Sequence, residues 1–391
     1  MREAVIVSAV RTPVGKAPRG SLKEAHPVDY GALVVREAIR RAPGLAAAEV
    51  DDLVLACAMP EGEAGLNAAR HVALKAGLSE QSSAMTINRF CASGLQALAI
   101  ATQQVGCGTH DIVVAAGTES MTLIPAWGTE FSPDPELVSM HPDLFLGMGL
   151  TAENVAERFG VSREDQDAFS HRSHTRAAEA VRSGRFKDEI IGVRIRQTRI
   201  ENGRPVTEEA LFAVDEGVRF DSDLAKMAAL KPAFKVGGTV TAGNSSQTSD
   251  GAAALVVMSA ERASELGLEP LGALRHFATA GVPPEIMGIG PVEAVPKVLK
   301  RWGRSLDDID LIELNEAFAA QVIACVRELG LNEAKLNVNG GAIALGHPLG
   351  ATGAKLSVQL LYELGRRQAR WGLVTMCVGG GQGAAGLIEC F

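Results

Sequence analysis

The chain has 391 residues, 47% of them hydrophobic, 21% charged and 42 of them glycine, which reads as a compact globular protein of about two to three domains. A formal net charge of −8 argues against general nucleic-acid binding, which needs a basic face, while leaving room for a local basic pocket around an anionic cofactor. No apolar run approaches the roughly 20 residues that a membrane helix needs, so no membrane association is expected.

Taken in chain order, MREAVIVSAVRTPVG reads as a strand entering a turn, without the small-residue cleavage site of a signal peptide. No address signal is recognised at the other end, Glu389-Cys390-Phe391. The cysteines, at 57, 91, 107, 325, 377 and 390, show no CxxC spacing, and reduced thiols in the cytoplasm are the expectation. A helix-then-strand pattern runs from VVREAIRR to VDDLVLACA, residues 34–58. Next, NRFCASG (88–94) sets Cys91 directly before a helical pattern that begins near Ser93. Unpaired N–H groups and the positive end of a helix dipole favour a thiolate there. The competing reading is a buried core cysteine, which also fits Cys57, Cys107 and Cys325 inside their apolar patterns. A second helix and strand, GLQALAIATQQV to DIVVAAG (94–117), follows.

From 119 to 241 the composition changes. This stretch holds a Pro-rich loop (FSPDPELVSMHPDLF, 131–145), an amphipathic helix around 163–183 and a basic strand pair, VRIRQTRI and NGRPV. It runs out through the loop GGTVTAGNSSQTSDG (237–251), of a kind that holds ligands on a rigid scaffold. His171 and His174 lie one helical turn apart, but Arg172, Ser173 and Arg176 surround them and no further ligand is evident. A solvated helix face is the simpler reading, and no metal is expected.

Beyond the insert the chain repeats its own pattern. AVPKVLKRW to DIDLIELNEA (294–317) matches residues 34–58, and GAKLSVQLLYEL to WGLVTMCVG (353–379) echoes residues 94–117, with Ile112 aligned to Leu373 at an offset of 261. Each part closes on a similar strand, GAAALVVM (251–258) and GAAGLIEC (383–390). Cys377 and Gly383 are 6 positions apart, whereas Ala116 and Gly251 are 135 apart, so the first part carries about 129 additional residues. The expectation is an α/β protein of two equivalent halves, residues 1–118 with 242–268 and residues 269–391, and an inserted domain at 119–241.

The second half supplies two more candidates. His347 lies in GHPLGATG (346–353), and Pro348 after it excludes a mid-helix position, so a loop presents the ring. Cys377 ends the strand pattern VTMC and enters CVGGGQG (377–383). Each taken alone is either catalytic or an ordinary buried side chain. In the duplicated frame, however, Cys91, His347 and Cys377 fall at the same ends of their sheets, where open α/β sheets bind ligands. Glycine-rich backbone there lets main-chain N–H groups approach a developing negative charge. Gly381, Gly383 and Gly386 also match the dinucleotide-binding pattern, but that pattern needs a following helix and strand, and only 5 residues remain.

NRFCASG, NEAFA (315–319), GHPLGATG and CVGGGQG resemble the four active-site segments of the thiolases, and MGLTAENVA (148–156) and TAGNSSQTSDGAAA (241–254) are similar to further segments of that family. The resemblance runs through the whole chain in order. It implies the thiolase fold: two βαβαβαββ halves in a five-layer α-β-α-β-α core, with an inserted loop domain that binds coenzyme A. It also implies a mechanism. Cys91, deprotonated by His347, attacks the keto carbon of a 3-ketoacyl-CoA; Cys377 protonates the departing acetyl-CoA enolate; free CoA then takes the acyl group from Cys91. By the same resemblance Asn315 holds a water in one oxyanion hole shared with His347, and the N–H groups of Cys91 and Gly379 form the second. Arg219, Ser246 and Met148 match positions on the CoA side, and Phe234, Ala242 and Gly243 match the pantetheine tunnel, although the flanks of Arg219 depart from the usual pattern.

One departure bears on substrate. Short-chain biosynthetic thiolases usually carry a histidine just before the methionine of this segment, where Gly147 stands here. The expectation is therefore thiolysis over a broad range of chain lengths, as in fatty-acid β-oxidation, with Gly147 and the 131–149 loop opening the acyl pocket. The alternatives are a short-chain acetyl-CoA acetyltransferase making acetoacetyl-CoA, a decarboxylating ketoacyl synthase, or a non-catalytic acyl-CoA-binding subunit. Cys377 stands where a ketoacyl synthase carries His or Asn. CoA is expected as cosubstrate, with no prosthetic group, and acetyl-CoA and 3-ketoacyl-CoA as the other ligands. The family further implies a homodimer or dimer of dimers and leaves room for a β-oxidation partner subunit.

Overall fold

A computed structural model describes residues 2–201 and 204–391. The strand runs that are apolar from end to end become strands buried on both faces, as parallel-type sheets covered by helices require. In the first half β1 (Ala4–Arg11), β2 (Asp52–Ala56), β3 (Ser83–Ile87) and β4 (Ile112–Ser120) are joined, after the insert, by β7 (Ser249–Ser259). The insert's own hairpin, β5 (Val193–Glu201) with β6 (Arg204–Phe212), realises the basic strand pair; its residues 202 and 203 lie outside the described residues. The second half contributes β8 (Gly272–Gly281), β9 (Leu311–Leu314), β10 (Trp371–Val378) and β11 (Gln382–Cys390).

The duplication appears as strand order. Half one runs β1-β7-β4-β2-β3 and half two runs β8-β11-β10-β9, with Leu336 bridging to Ile312 of β9 at the place that β3 takes in half one. The inner pairs β2/β3, β2/β4 and β9/β10 are parallel, and β7 and β11 are antiparallel to their neighbours. The halves meet where Ile6 of β1 pairs antiparallel with Gly272 of β8.

Three apolar clusters separate five layers. Outermost on one side, α1 (Pro27–Arg40) and α2 (Ala68–Ala76) set Val34, Val35 and Val72 against Leu53, Val114 and Val256. On the far side, α6 (Gly290–Trp302) and α7 (Ala319–Leu329) set Val295, Val298 and Val322 against Leu314, Leu373 and Leu387. Between the sheets lie α3 (Ser93–Cys107) and α9 (Leu349–Arg367), where Leu98 and Val358 pack between Val54 and Leu255 of one sheet and Met376 and Ile388 of the other. This is the five-layer arrangement expected.

The two central helices cross at their first turns, and glycine makes that possible. A Cβ on Gly94 would sit 3.0 Å from the Gly350 carbonyl oxygen, and one on Gly353 would sit 2.9 Å from the Cβ of Leu95, both too close for a side chain. The glycines of NRFCASG and GHPLGATG thus serve a helix crossing that brings Cys91 beside the His347 loop.

One expectation fails. Cys107 is the last residue of α3 and faces solvent, on the outer side of a final turn whose Val105 packs into the core. Gly383 and Gly386 lie inside strand β11, so the dinucleotide pattern has no helix to serve. Among the described residues no helix is long and apolar enough to cross a membrane.

Candidate active site

Between β4 and β7 the inserted segment places α4 (Met148–Arg158) and α5 (Arg163–Arg182), and a cavity of about 830 Å³ opens between it and the ends of the parallel strands. Cys91, His347, Cys377, Gly379, Met148 and Ser246 all line it. Phe234 lines it too, standing edge-on to Phe318 at 6.1 Å between ring centroids. Arg219, Ala242 and Gly243 lie outside the wall: Arg219 and Ala242 are exposed, and Arg219 is held only through its backbone N–H, which donates to His174 Nδ1 at 3.2 Å.

Cys91 sits in a tight turn, Phe90–Ala92, immediately before α3. Phe90 takes a left-handed φ of 43°, a costly conformation for a non-glycine residue. Ser93 holds the turn closed, its Oγ accepting from Arg89 N and donating to Phe90 O, both at 2.7 Å. Burial is the largest influence on the thiol and raises it to about 11, although the N–H groups of Gly379 and of Cys91 itself pull the other way. The helix-start argument expected a stabilised thiolate. Desolvation outweighs it, and at neutral pH Cys91 is a thiol that needs a base.

His347 lines the same cavity and is held in one tautomer. Thr352 Oγ donates to Pro348 O at 3.1 Å, so it accepts the contact at 2.6 Å from His347 Nδ1, which must carry the proton. Nε2 is left with its lone pair, 3.3 Å from the Asn315 Nδ2 donor. Burial, aided by the charge of Lys355, depresses the imidazole to about 3, so it is neutral at pH 7. Its backbone is fixed as well, with His347 N donating to Ser249 Oγ at 3.0 Å.

Asn315 follows β9; it is fully buried, its backbone N donates to Thr375 O at 3.0 Å, and its side-chain Oδ1 has no partner among the described residues. Cys377, at the end of β10, is fully buried, and burial, then the neighbouring Cys91 and Cys325 thiols, push its ionisation far above the usual range. It packs among Ala152, Val240, Met287, Ala317 and Phe318, with Met148 against them. A thiol kept protonated by such surroundings can give a proton to carbon, and the thiolate this leaves can take one back. The 241–254 loop is stitched to both sides: Ser245 bridges to Phe318 and Thr248 to His347, and Ser246 N donates to Ala317 O at 2.9 Å.

Several residues that the sequence reading passed over matter here. Thr352 sets the tautomer of His347; its signal is a hydroxyl in the first turn of the helix that His347 introduces. Glu119 is a buried carboxylate that accepts from Ala58 N (2.7 Å), Met59 N (3.2 Å) and Gly350 N (2.8 Å), welding the ends of β2 and β4 to the start of α9. The solvated face expected at His171 and His174 is overturned: His174 is buried and held near 4 by that burial, and His171 Nδ1 pairs with Ser222 Oγ at 3.0 Å.

Comparison with known proteins places these features in context. A family model described as the thiolase N-terminal domain matches residues 4–261, and one described as the thiolase C-terminal domain matches residues 268–390. The 3-ketoacyl-CoA thiolase of Bacillus subtilis (strain 168) is 54% identical over 390 residues, covering 100% of each chain. The acetyl-CoA acetyltransferase of Syntrophomonas wolfei is 46% identical, covering 99% of each. A crystal structure of the Bacillus anthracis acetyl-CoA acetyltransferase superposes with a TM-score of 0.90 at 41% identity, covering 100% of this chain and 99% of the other.

Proposed function

The chain belongs to the thiolase family of acyltransferases, and we propose that it cleaves 3-ketoacyl-CoA with free CoA to acetyl-CoA and a shortened acyl-CoA. His347 Nε2 takes the proton of Cys91, and Sγ adds to the keto carbon. The oxygen of that carbon becomes negative against the N–H groups of Cys91 and Gly379. The bond between the keto carbon and the α carbon then breaks. The enolate oxygen of the leaving acetyl-CoA is met by Asn315, through a water, and by the proton now on His347, while Cys377 gives its proton to the α carbon. CoA–SH loses its proton to restore Cys377, its sulfur takes the acyl group, and the departing Cys91 thiolate regains the proton held by His347. Run backwards, the same groups perform a Claisen condensation.

On this reading residues 119–241 form the CoA-binding insert on a core of residues 1–118 with 242–268 and 269–391. Ser246, Phe234 and Met148 contact CoA from the cavity wall, and Arg219, Ala242 and Gly243 contribute outside it. The enzyme works in the cytoplasm as a homodimer or dimer of dimers, in fatty-acid β-oxidation.

The observation that carries the degradative reading is the room at Gly147. A Cβ built there meets nothing within 4 Å, and beyond it Trp127, Phe131 and Phe145 stack at 6.5 and 6.1 Å along the cavity wall. An apolar extension of that kind suits an acyl tail longer than acetoacetyl. Acetoacetyl-CoA synthesis is the second reading, favoured by similar relatives that carry the name acetyl-CoA acetyltransferase. CoA-dependent thiolysis of acetoacetyl-CoA beside a long-chain 3-ketoacyl-CoA separates the two. Comparable or faster cleavage of the long chain supports the degradative enzyme; activity on acetoacetyl-CoA alone replaces it with the biosynthetic one.

A further inference from the structure

Asn315 and His347 reach the cavity from different segments, yet their side chains meet to within 3.3 Å. His347 has its own anchors in Thr352 and Ser249, whereas among the described residues no group other than His347 is bonded to the Asn315 amide. The residue that follows Asn315 supplies the missing support. Glu316 is buried, and its carboxylate accepts from Ser173 Oγ at 2.7 Å, Asn337 Nδ2 at 2.9 Å and Ile343 N at 3.2 Å.

Each of those donors leads somewhere specific. Asn337 also clasps both backbone groups of Leu314, the residue before Asn315, at 2.9 and 2.8 Å, so Asn315 is gripped on either side. Ile343 lies in the short helical turn Ala342–Leu345 that runs into His347. Ser173 belongs to α5 of the insert, and its Oγ also accepts from Gly341 N at 3.1 Å. A Cβ on Gly341 would run into the Glu316 carboxylate, so the backbone there is shaped around this group. The next residue of α5, His174, holds the backbone of Arg219.

We propose that Glu316 is a positioning residue that fixes the Asn315 amide against His347 and ties this pair to helix α5 of the insert. It touches no reacting atom. A carboxylate gathering an O–H, a side-chain N–H and a backbone N–H draws three chain segments to one point, which an amide with its single acceptor oxygen cannot do. The inference rests on the thiolase reading, in which the Asn315 amide serves the enolate and therefore only the carbon–carbon step, whereas His347, anchored separately by Thr352 and Ser249, deprotonates Cys91 in both reactions. Transfer of an acetyl group between acetyl-CoA and CoA passes through acyl-Cys91 and needs the Cys91 and Gly379 N–H groups but no enolate.

The test compares the two reactions in the full-length enzyme. In Glu316→Gln, thiolysis of acetoacetyl-CoA is expected to fall about 10- to 100-fold in kcat, the scale of a misplaced catalytic donor. Exchange of labelled CoA into acetyl-CoA is expected to change less than about threefold, within the cost of a single weakened hydrogen bond. Ser173→Ala, which removes one donor and leaves the carboxylate, is expected to show the same split at about 3- to 10-fold, and it carries the test should Glu316→Gln fail to fold. Equal losses in both reactions, or no loss in either, overturn the proposal. Absence of both reactions from the unsubstituted enzyme overturns the reading of the site itself, a separate result.

Discussion

The two halves share one strand order, yet their strand ends are used differently. After β2 and β4 of half one, Glu119 gathers the amides of Ala58, Met59 and Gly350, and the ends are closed by hydrogen bonds. At the matching ends of half two, Asn315 and Cys377 are left with reactive atoms that no group among the described residues satisfies or ionises. On the proposed reading half one contributes a nucleophile, Cys91, in the turn just before its central helix. On the same reading half two contributes the base ahead of the equivalent helix, the oxyanion donor and the carbon acid. Duplication supplies two like scaffolds, and which end stays open to the cavity decides which scaffold does the proton chemistry.

The hardest blow to that division is Cys91→Ala. Turnover is expected to fall by at least about 10⁴-fold, as for loss of a covalent nucleophile, while CoA binding by titration calorimetry stays within a few-fold. Unchanged turnover would remove the nucleophile from half one. Thr352→Val tests the other helix start. Without its acceptor the imidazole loses its fixed tautomer, and kcat for thiolysis should drop about 100-fold, within the range that general base catalysis contributes. A Thr352→Ser variant keeps the hydroxyl and should recover most of that rate; failure to recover would point to packing instead.

The same contrast sets the response to acid. His347 and His174 are both held below their ordinary value, at about 3 and about 4, chiefly by burial. A histidine depressed in the folded state binds its proton first in the unfolded chain. Its stabilising contribution is therefore complete above about pH 6.5 and is lost as pH falls toward the folded values. Melting temperature should hold steady from pH 8 to 7 and decline steadily from pH 6.5 to 4. His174→Asn, outside the catalytic set, should soften that decline. A melting curve indifferent to pH across this window would contradict the buried neutral imidazoles.

Much of this was legible in the sequence. The repeat at an offset of 261 reappears as a shared strand order, and the glycine-crowded segments as a helix crossing that restricts those positions to few residue types. What was not legible depended on direction. Cys107 sits in an apolar pattern, yet faces water on the outer side of the last turn of α3. His174 sits among charged residues, yet points inward to hold Arg219. The helix-start argument for a Cys91 thiolate was sound locally and lost to burial, which no short segment reveals. Thr352 and Glu316 read as ordinary polar residues until the fold sets one under the His347 ring and the other among three chain segments.

The smallest expected effect concerns the wall rather than the chemistry. Gly147→His should leave acetoacetyl-CoA thiolysis within about twofold and lower kcat/KM for a long-chain substrate about 10-fold, since a pocket discriminates bulk by only about 1–3 kcal/mol. A Cβ at Gly147 meets no atom within 4 Å and the position lines the cavity, so the substitution is expected to subtract acyl room rather than strain the backbone. Position 147 also precedes Met148, which packs toward Cys377, and a parallel loss on both substrates would mean that the ring disturbs the carbon acid instead. A loss confined to the long chain would make the acyl range a property of the insert's cavity wall, separable from the proton chemistry that half two holds open.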